Sequence, residues 1–338
     1  MHHGTRRSLE RVGIALTGLL AVVMIGFLAL EWLQEYPYAG MLYDQFMVVG
    51  MWLDHLLGTS VFSYSFMLRS IATGVLIGIA APLVGTYLVH REMALIGETL
   101  AHTAFAGVAI GLLFSATTEW DGSLLIAALV VGVIGALLVQ FLAERTNTYG
   151  DVPIAIMLTG SFAVGTLIIS YGRGGFSGVS IEDYLFGSAA VIPAEGARMV
   201  AVLTVVVVGV VALTYKQLLF ITFDEQAARV ARLNVTWYNT LLIVMTAVVV
   251  VGAMQILGVI LVAAMLVIPV AAASEVAHGF RETLSLSILF GQASILGGFA
   301  FAISQGLPPG GSIVVVAIGI YLLALLFSSR SGTAISMH

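Results

Sequence analysis

The chain has 338 residues, of which 60 % are hydrophobic and only 9 % charged, with a formal net charge of −5. A soluble domain carries about 25 % charged residues, so this composition excludes a soluble globular protein and indicates an all-α polytopic membrane protein. Cysteine is absent, which removes disulfides, thiolate metal sites and cysteine nucleophiles, and no basic patch points to nucleic acid.

A helix needs about 20 mostly apolar residues to cross the ~30 Å hydrocarbon core. Stretches at 13–30, 66–89, 93–114, 123–143, 153–171, 197–216, 236–254, 256–273, 283–305 and 311–327 meet or nearly meet that need, so about ten transmembrane helices are predicted, within a range of eight to ten. The seventh and eighth run together, broken only near residues 252–255. The strands of a β-barrel would alternate polar and apolar residues, and these stretches do not.

Arg6, Arg7 and Arg11 precede the first apolar run. That run is longer than the roughly 7–15 residues of a secretory core, and no small-residue cleavage site follows, so it reads as a retained span. Residues 41–57 place Leu42, Phe46, Val49, Leu53 and Leu56 on one helical face and Asp44, Met51 and His55 on another, the pattern of a short helix at the outer interface. Gly74-x3-Gly78 and Gly107-x3-Gly111 are small-x3-small patterns that let helices approach closely. No soluble domain or long linker interrupts the chain.

Positive charge sets the orientation. With the N-terminus in the cytoplasm, Arg6, Arg7, Arg11, Arg91, Arg145, Lys216, Arg229, Arg232, Arg281 and Arg330 fall inside, against Arg69, Arg173 and Arg198 outside. Both termini are then cytoplasmic. The outer loops carry Glu31, Glu35, Asp44, Asp54, Glu119, Asp121, Glu182, Asp183 and Glu195. Those acids either draw cations toward the outer mouth or are simply solvated.

Glu98 and His102 stand apart, because most other titratable residues lie at span ends. Four residues apart on a helix, they share one face. A carboxylate at membrane depth costs a few kcal/mol and normally faces a cavity or a partner. Carboxylate and imidazole together make half a site for a divalent cation. The alternatives are a Glu–His hydrogen bond within a packed bundle and a proton relay. Two ligands are too few for a tight site, and a two-fold dimer would bring two Glu98 and two His102 together. His90, His278 and His55 read as loop or interface residues, and the 13 methionines form no thioether ladder suited to copper.

Lysine occurs only at Lys216, in a segment with no glycine loop before it, so there is no Walker A motif and no ATPase in this chain. Between the sixth and seventh spans, residues 219–235 hold a candidate short helix, with Thr222 or Asp224 as cap, an acidic start and a basic end. Its apolar residues Ala228, Val230, Ala231 and Leu233 fit docking into a groove on a soluble partner, or packing on its own membrane domain.

Three segments resemble the membrane permeases of zinc/manganese ABC importers. They are residues 66–70 leading through Gly85 to 93–102 with Glu98 and His102, the Phe223-Asp224-x3-Ala228-x4-Leu233 loop, and residues 257–269 followed by Ala271-Ala272-Ala273. The resemblance covers about residues 60 to 328. It departs from the family where Glu98 replaces aspartate and Ala106 replaces proline. It implies a type II ABC-importer-like permease domain at 59–330, with the 1–58 segment as an N-terminal extension and 331–338 as a short tail. It implies a multi-pass protein of a prokaryotic cell membrane, not itself an enzyme and with no permanently bound cofactor. Two copies of this chain, a homodimer, would work with a cytoplasmic ABC ATPase dimer and an extracellular metal-binding protein. Phe223, Asp224, Ala228 and Leu233 would couple to the ATPase, and Glu98 and His102 would meet Zn²⁺ or Mn²⁺ in transit. An ion-coupled secondary transporter with Glu98 as proton or cation carrier is the competing expectation, and a non-transporting scaffold is a third. Cobalamin and siderophore importers share the architecture, and the Glu98/His102 pair argues for a bare cation.

Overall fold

The computed structural model describes residues 3–118, 122–145, 152–172, 187, 192–259 and 262–328. Among them are twelve helices and no strand: α1 (His3–Trp32), α2 (Pro37–Leu57), α3 (Ser65–His90), α4 (Leu95–Thr118), α5 (Leu124–Arg145), α6 (Val152–Tyr171), α7 (Ala194–Phe223), α8 (Glu225–Val230), α9 (Val235–Leu257), α10 (Val262–Val276), α11 (Phe280–Gln305) and α12 (Pro309–Phe327). Helices are what hydrocarbon demands, because a backbone that cannot bond to water must satisfy its own N–H and C=O groups. Nine of these helices are long and apolar enough to cross a membrane.

The predicted span at 256–273 is corrected. The chain is still helical at 252–255 and breaks later, at Gly258, whose backbone (φ 75°, ψ 159°) lies in a region open essentially to glycine alone. Gly258 N–H donates to the Met254 carbonyl (2.9 Å), and Val262 N–H donates to the Gly258 carbonyl (3.1 Å). The α10 helix that follows has 15 residues, about 22 Å of rise, short of a full crossing. The sequence signals a break only near 252–255 and misplaces it by a few residues.

The short α10 still returns the chain. Ser328 Oγ donates to the Glu275 carbonyl at 3.1 Å, and the Phe280 ring lies 5.0 Å from His90 and 5.5 Å from Phe223. The exits of α3, α7, α10 and α12 therefore share one end of the bundle with α8. At the opposite end Arg69 Nε lies 3.0 Å from Glu31 Oε1, and Arg69 Nη1 donates to the Ile192 carbonyl at 3.4 Å. That places the end of α1, the start of α3 and the entry to α7 together.

Small residues set the helix spacing. A methyl added at Gly78 would lie 2.9 Å from Gln292 Nε2 of α11, a side chain that itself donates to the Val75 carbonyl at 2.6 Å. On α4, Gly107 and Gly111 face Ala128 and Ala127 of α5, where an added methyl would come within 2.8 Å of each. Both small-x3-small patterns are thus packing contacts. The helix α3 is the most enclosed of the spans.

The α2 helix begins and ends at the Glu31–Arg69 end, so it lies across the bundle rather than through it. Tyr43 and Phe46 pack on Phe27 of α1, with ring centroids 6.0 and 5.2 Å away. Phe46 thus turns inward, whereas Leu42, Val49, Leu53 and Leu56 stay exposed. The turn from α2 to α3 is built on Asp54, 5 % exposed. Its Oδ1 accepts from Thr59 Oγ1 (2.7 Å), Val61 N (2.9 Å) and Phe62 N (3.0 Å), and its Oδ2 accepts from Ser63 N (2.6 Å) and Ser63 Oγ (2.5 Å).

Burial alone would raise the Asp54 carboxyl, but the hydrogen bonds from Ser63, Phe62 and Thr59 outweigh it and hold the group well below the usual carboxylate range. A carboxyl depressed on folding stabilises above its unfolded pKa, and that stabilisation is lost as pH falls through the folded value. Protection of the 58–64 turn from proteolysis should therefore be flat between about pH 5 and 8 and fail only in strong acid. Asp54→Asn should open the turn at neutral pH, as limited proteolysis will show.

Candidate functional site

The α3–α4 turn is tight. Glu92 adopts a left-handed backbone (φ 59°), Met93 N–H donates to the Leu88 carbonyl (2.9 Å), and Ile96 N–H donates to the Met93 carbonyl (3.2 Å). This turn starts α4 at Leu95 and puts Glu98 in its first turn, where a negative charge suits the helix dipole. At 1.5 Å per residue, Glu98 lies about 5 Å and His102 about 11 Å along α4, both toward the α8 end of the bundle. Glu98 is thus nearer a helix end than the stretch 93–114 implied.

Four neighbours, α5, α6, α9 and α10, pack on α4. Gly97 faces Leu266 and Ala263 of α10, and Gly135 of α5 faces Thr103. Thr99 Oγ1 reaches the Ile154 carbonyl of α6 at 3.3 Å, and the His102 ring meets Phe162 of α6 edge-on at 4.9 Å. Glu98 and His102 are both half-buried. The Glu–His hydrogen bond, one of the alternatives read from the sequence, does not form, and His102 Nδ1 is enclosed without a partner. Among the described residues no group of three or more His, Cys, Asp or Glu side chains gathers, and Glu98 and His102 are the two metal-type ligands those residues supply here.

The second candidate segment differs from its predicted bounds. Residues 219–223 are the last turn of α7, and the connecting element is the six-residue α8 with its flanks. Asp224 caps α8, its Oδ1 accepting from Ala227 N–H at 2.8 Å. Ala228 is fully buried in a cluster with Ile221 and Val235, to which Leu233 and Tyr238 add. Leu233 N–H donates to the Ala228 carbonyl at 3.0 Å. Ala228 and Leu233 therefore seat α8 on its own membrane domain. Phe223 (63 % exposed) and Val230 (85 % exposed) point away from that cluster. Of the four residues singled out in the sequence, two face inward, one caps and one is presented.

Glu225 pairs with Arg229 at 2.7 Å and with Arg91 at 3.5 Å, tying α8 to the end of α3. Beside it opens a groove of about 510 Å³, lined by His90, Phe223, Glu275, His278 and Phe280 among others. Sequence reasoning left His90 and His278 as loop residues. His90 in fact closes α3, with Nδ1 2.8 Å from the Thr86 carbonyl, and His278 Nδ1 lies 3.5 Å from Glu282. The His278-x3-Glu282 spacing was the signal available for that pair. The groove itself needs the meeting of α3, α7 and the α10–α11 turn.

A sequence profile of the ABC 3 transport family matches residues 63–328. "Manganese transport system membrane protein MntC" of Listeria monocytogenes serovar 1/2a is 30 % identical over 273 residues, covering 81 % of this chain and 94 % of that protein. "Manganese transport system membrane protein MntD" of Bacillus subtilis is 31 % identical over 281 residues, covering 79 % and 94 %. The solved structure described as "PsaBC from Streptococcus pneumoniae in complex with Fab" superposes with a TM-score of 0.72 at 25 % identity, covering 86 % of this chain and 100 % of that one.

Removal of the α8 cap should loosen the helix without unseating it. Asp224→Ala is expected to cost about 1 kcal/mol of local stability, read as faster amide exchange at Ala227 and Ala228 while the α9 amides keep their protection.

Proposed function

The chain belongs to the ABC 3 transport family, and from that premise we propose that it is the permease of an ATP-driven importer that carries a divalent metal cation into the cytoplasm. Manganese is the cargo that the names of the MntC and MntD relatives support. Zinc suits the same carboxylate and imidazole, and the experiment below separates the two. The chain is a membrane transport component, and hydrolysis of ATP falls to a separate subunit, in keeping with the missing P-loop.

The observation that carries the reading is the half-buried pair on α4, with His102 Nδ1 enclosed and unpartnered beside a carboxylate that does not bond to it. An enclosed polar nitrogen with no partner costs free energy, which a passing cation would offset. One chain offers too few ligands to hold the ion. A second copy meeting the first along this side of α4 would supply another Glu98 and His102, four ligands of O2N2 type. Ligation that remains incomplete, with water filling the rest, lets the ion leave as well as enter.

The α8 end is the cytoplasmic end in this reading, which puts both termini, Arg91 and Arg229 inside, as the positive charge bias favours. Phe223, Asp224, Ala228 and Leu233 form the seat for the ATPase, with Ala228 and Leu233 fixing the helix from behind and Phe223 and Val230 turned to the partner. The opposite end receives the ion from an extracellular metal-binding protein. A second reading, an ion-coupled secondary transporter, rests on the half-buried carboxylate of Glu98, since an ionisable group at membrane depth is a usual proton carrier. Glu98 would then carry a proton.

Vesicles containing the chain with its ATPase, loaded or not with ATP, test both. ATP-dependent uptake of manganese above zinc is expected, falling at least about ten-fold in Glu98→Ala and in His102→Ala while the complex still assembles. Uptake that ignores ATP and follows a proton gradient would replace this reading with the second.

A further inference from the structure

We propose that the crevice between α1 and α7 is a phospholipid site, with the lipid phosphate on Arg198 and a headgroup amine on Glu195. The crevice holds about 620 Å³ and is open to the side. Leu28 and Ala29 of α1 form one wall and Val202, Val205 and Val206 of α7 the other, with Val202 62 % exposed. Its polar groups gather at one end, where the last turn of α1 meets the first turn of α7, level with the Glu31–Arg69 pair.

Arg198 is the unexplained group there. Its Nε is enclosed without a hydrogen-bond partner, and among the described residues it makes no hydrogen bond and no ion pair within 4 Å. Its guanidinium lies 5.9 Å from the Trp32 ring centroid. The neighbouring carboxylate, Glu31, acts on Arg198 only through space, its Oε1 being engaged by Arg69 at 3.0 Å. Unused donors half-enclosed beside hydrocarbon are costly, and a phosphodiester oxygen satisfies them with charge-assisted hydrogen bonds. One turn earlier on the same face, Glu195 is exposed and lines the same crevice. Cation below and anion at the rim match a zwitterionic headgroup whose amine carries hydrogens. Trp32, 63 % exposed, has the amphipathic ring that settles at headgroup level. The apolar walls then take an acyl chain.

The site stands apart from Glu98 and His102, because α1 packs on α2, α3, α7 and α11, whereas α4 packs chiefly on α5 and α6. Half of it is built by α1, which lies outside the residues 63–328 of the family match. A lipid bound here would pin the N-terminal extension to the core, and it does so whatever the cargo.

Native mass spectrometry of the full chain, released from detergent with defined additions of phosphatidylethanolamine, phosphatidylcholine or phosphatidylglycerol, tests the proposal. The wild type is expected to retain one phosphatidylethanolamine per chain in preference to the other two. Arg198→Ala should lower retention of all three by about ten-fold. Glu195→Gln should keep lipid bound but erase the preference. Val202→Trp, which fills the crevice from a lateral position, should exclude lipid at an unchanged melting temperature. Retention by Arg198→Ala or Val202→Trp equal to wild type would overturn the site. So would displacement of the lipid by inorganic phosphate alone, or a dimer lost in Val202→Trp with no lipid involved.

Discussion

Leu266 occupies a notch cut by two glycines on two different helices, and the placement of the candidate site depends on it. A methyl at Gly85 of α3 would overlap the Leu266 carbonyl, and one at Gly97 of α4 would come within 2.7 Å of its side chain. Because neither glycine carries a methyl, α10 fits between α3 and α4 with backbone nearly in contact. Overpacking a core of this kind costs about 1–3 kcal/mol, comparable to the whole margin on which a conformational equilibrium turns. Glu98 follows Gly97 directly, so the carboxylate's position is set by the fit of α10 against its neighbour. The same short α10 (Val262–Val276) follows the Gly258 break, and in its last turn Glu275 adjoins Ser328 and the α8-end groove. One helix thus links the break, the candidate metal ligands and the end of the bundle where α8 sits.

The two ends of the bundle are held by different chemistry. At one end a carboxylate, Asp54, collects five donors and closes the α2–α3 turn, while Glu31 and Arg69 join the extension to the core. At the other end aromatic edges meet, with Phe280 between His90 and Phe223, and Glu225 bridges Arg91 and Arg229. Directional hydrogen bonds fix a turn in one geometry. Edge-on ring contacts tolerate small rotations, which suits the partner docking proposed for this end. Between the two ends nearly all contacts are apolar or hydrogen bonds of Ser and Thr to their own helix.

Much of this was legible in the amino-acid sequence, because membrane insertion is a matter of composition over about 20 residues. Nine of the predicted stretches correspond to helices of spanning length, and Arg69 and Arg198 fall at the end opposite Arg91 and Arg229, as the charge bias required. The tenth failed for a physical reason. The two apolar runs are broken in the sequence only near 252–255, whereas the helix stops at Gly258. Asp224 was readable as a cap, but the start of its segment was not, since residues 219–223 continue α7 with no change of character. The i, i+4 spacing placed Glu98 and His102 on one face. It could not show that the two do not bond each other, or that the imidazole meets Phe162 of α6 edge-on. The α8-end groove and the α1–α7 crevice join residues over a hundred positions apart, beyond the reach of any local pattern.

Metal passage as proposed requires that the imidazole of His102 and the carboxylate of Glu98 touch the ion. Electron spin-echo measurements on Mn²⁺ bound to the assembled complex, with histidine nitrogen-15 labelled, read that contact directly. A nitrogen coupling that is present in the wild type and disappears in His102→Gln, with Mn²⁺ still bound, is the result expected. Mn²⁺ held by oxygen ligands alone, with a spectrum unchanged by His102→Gln and Glu98→Gln, would contradict it.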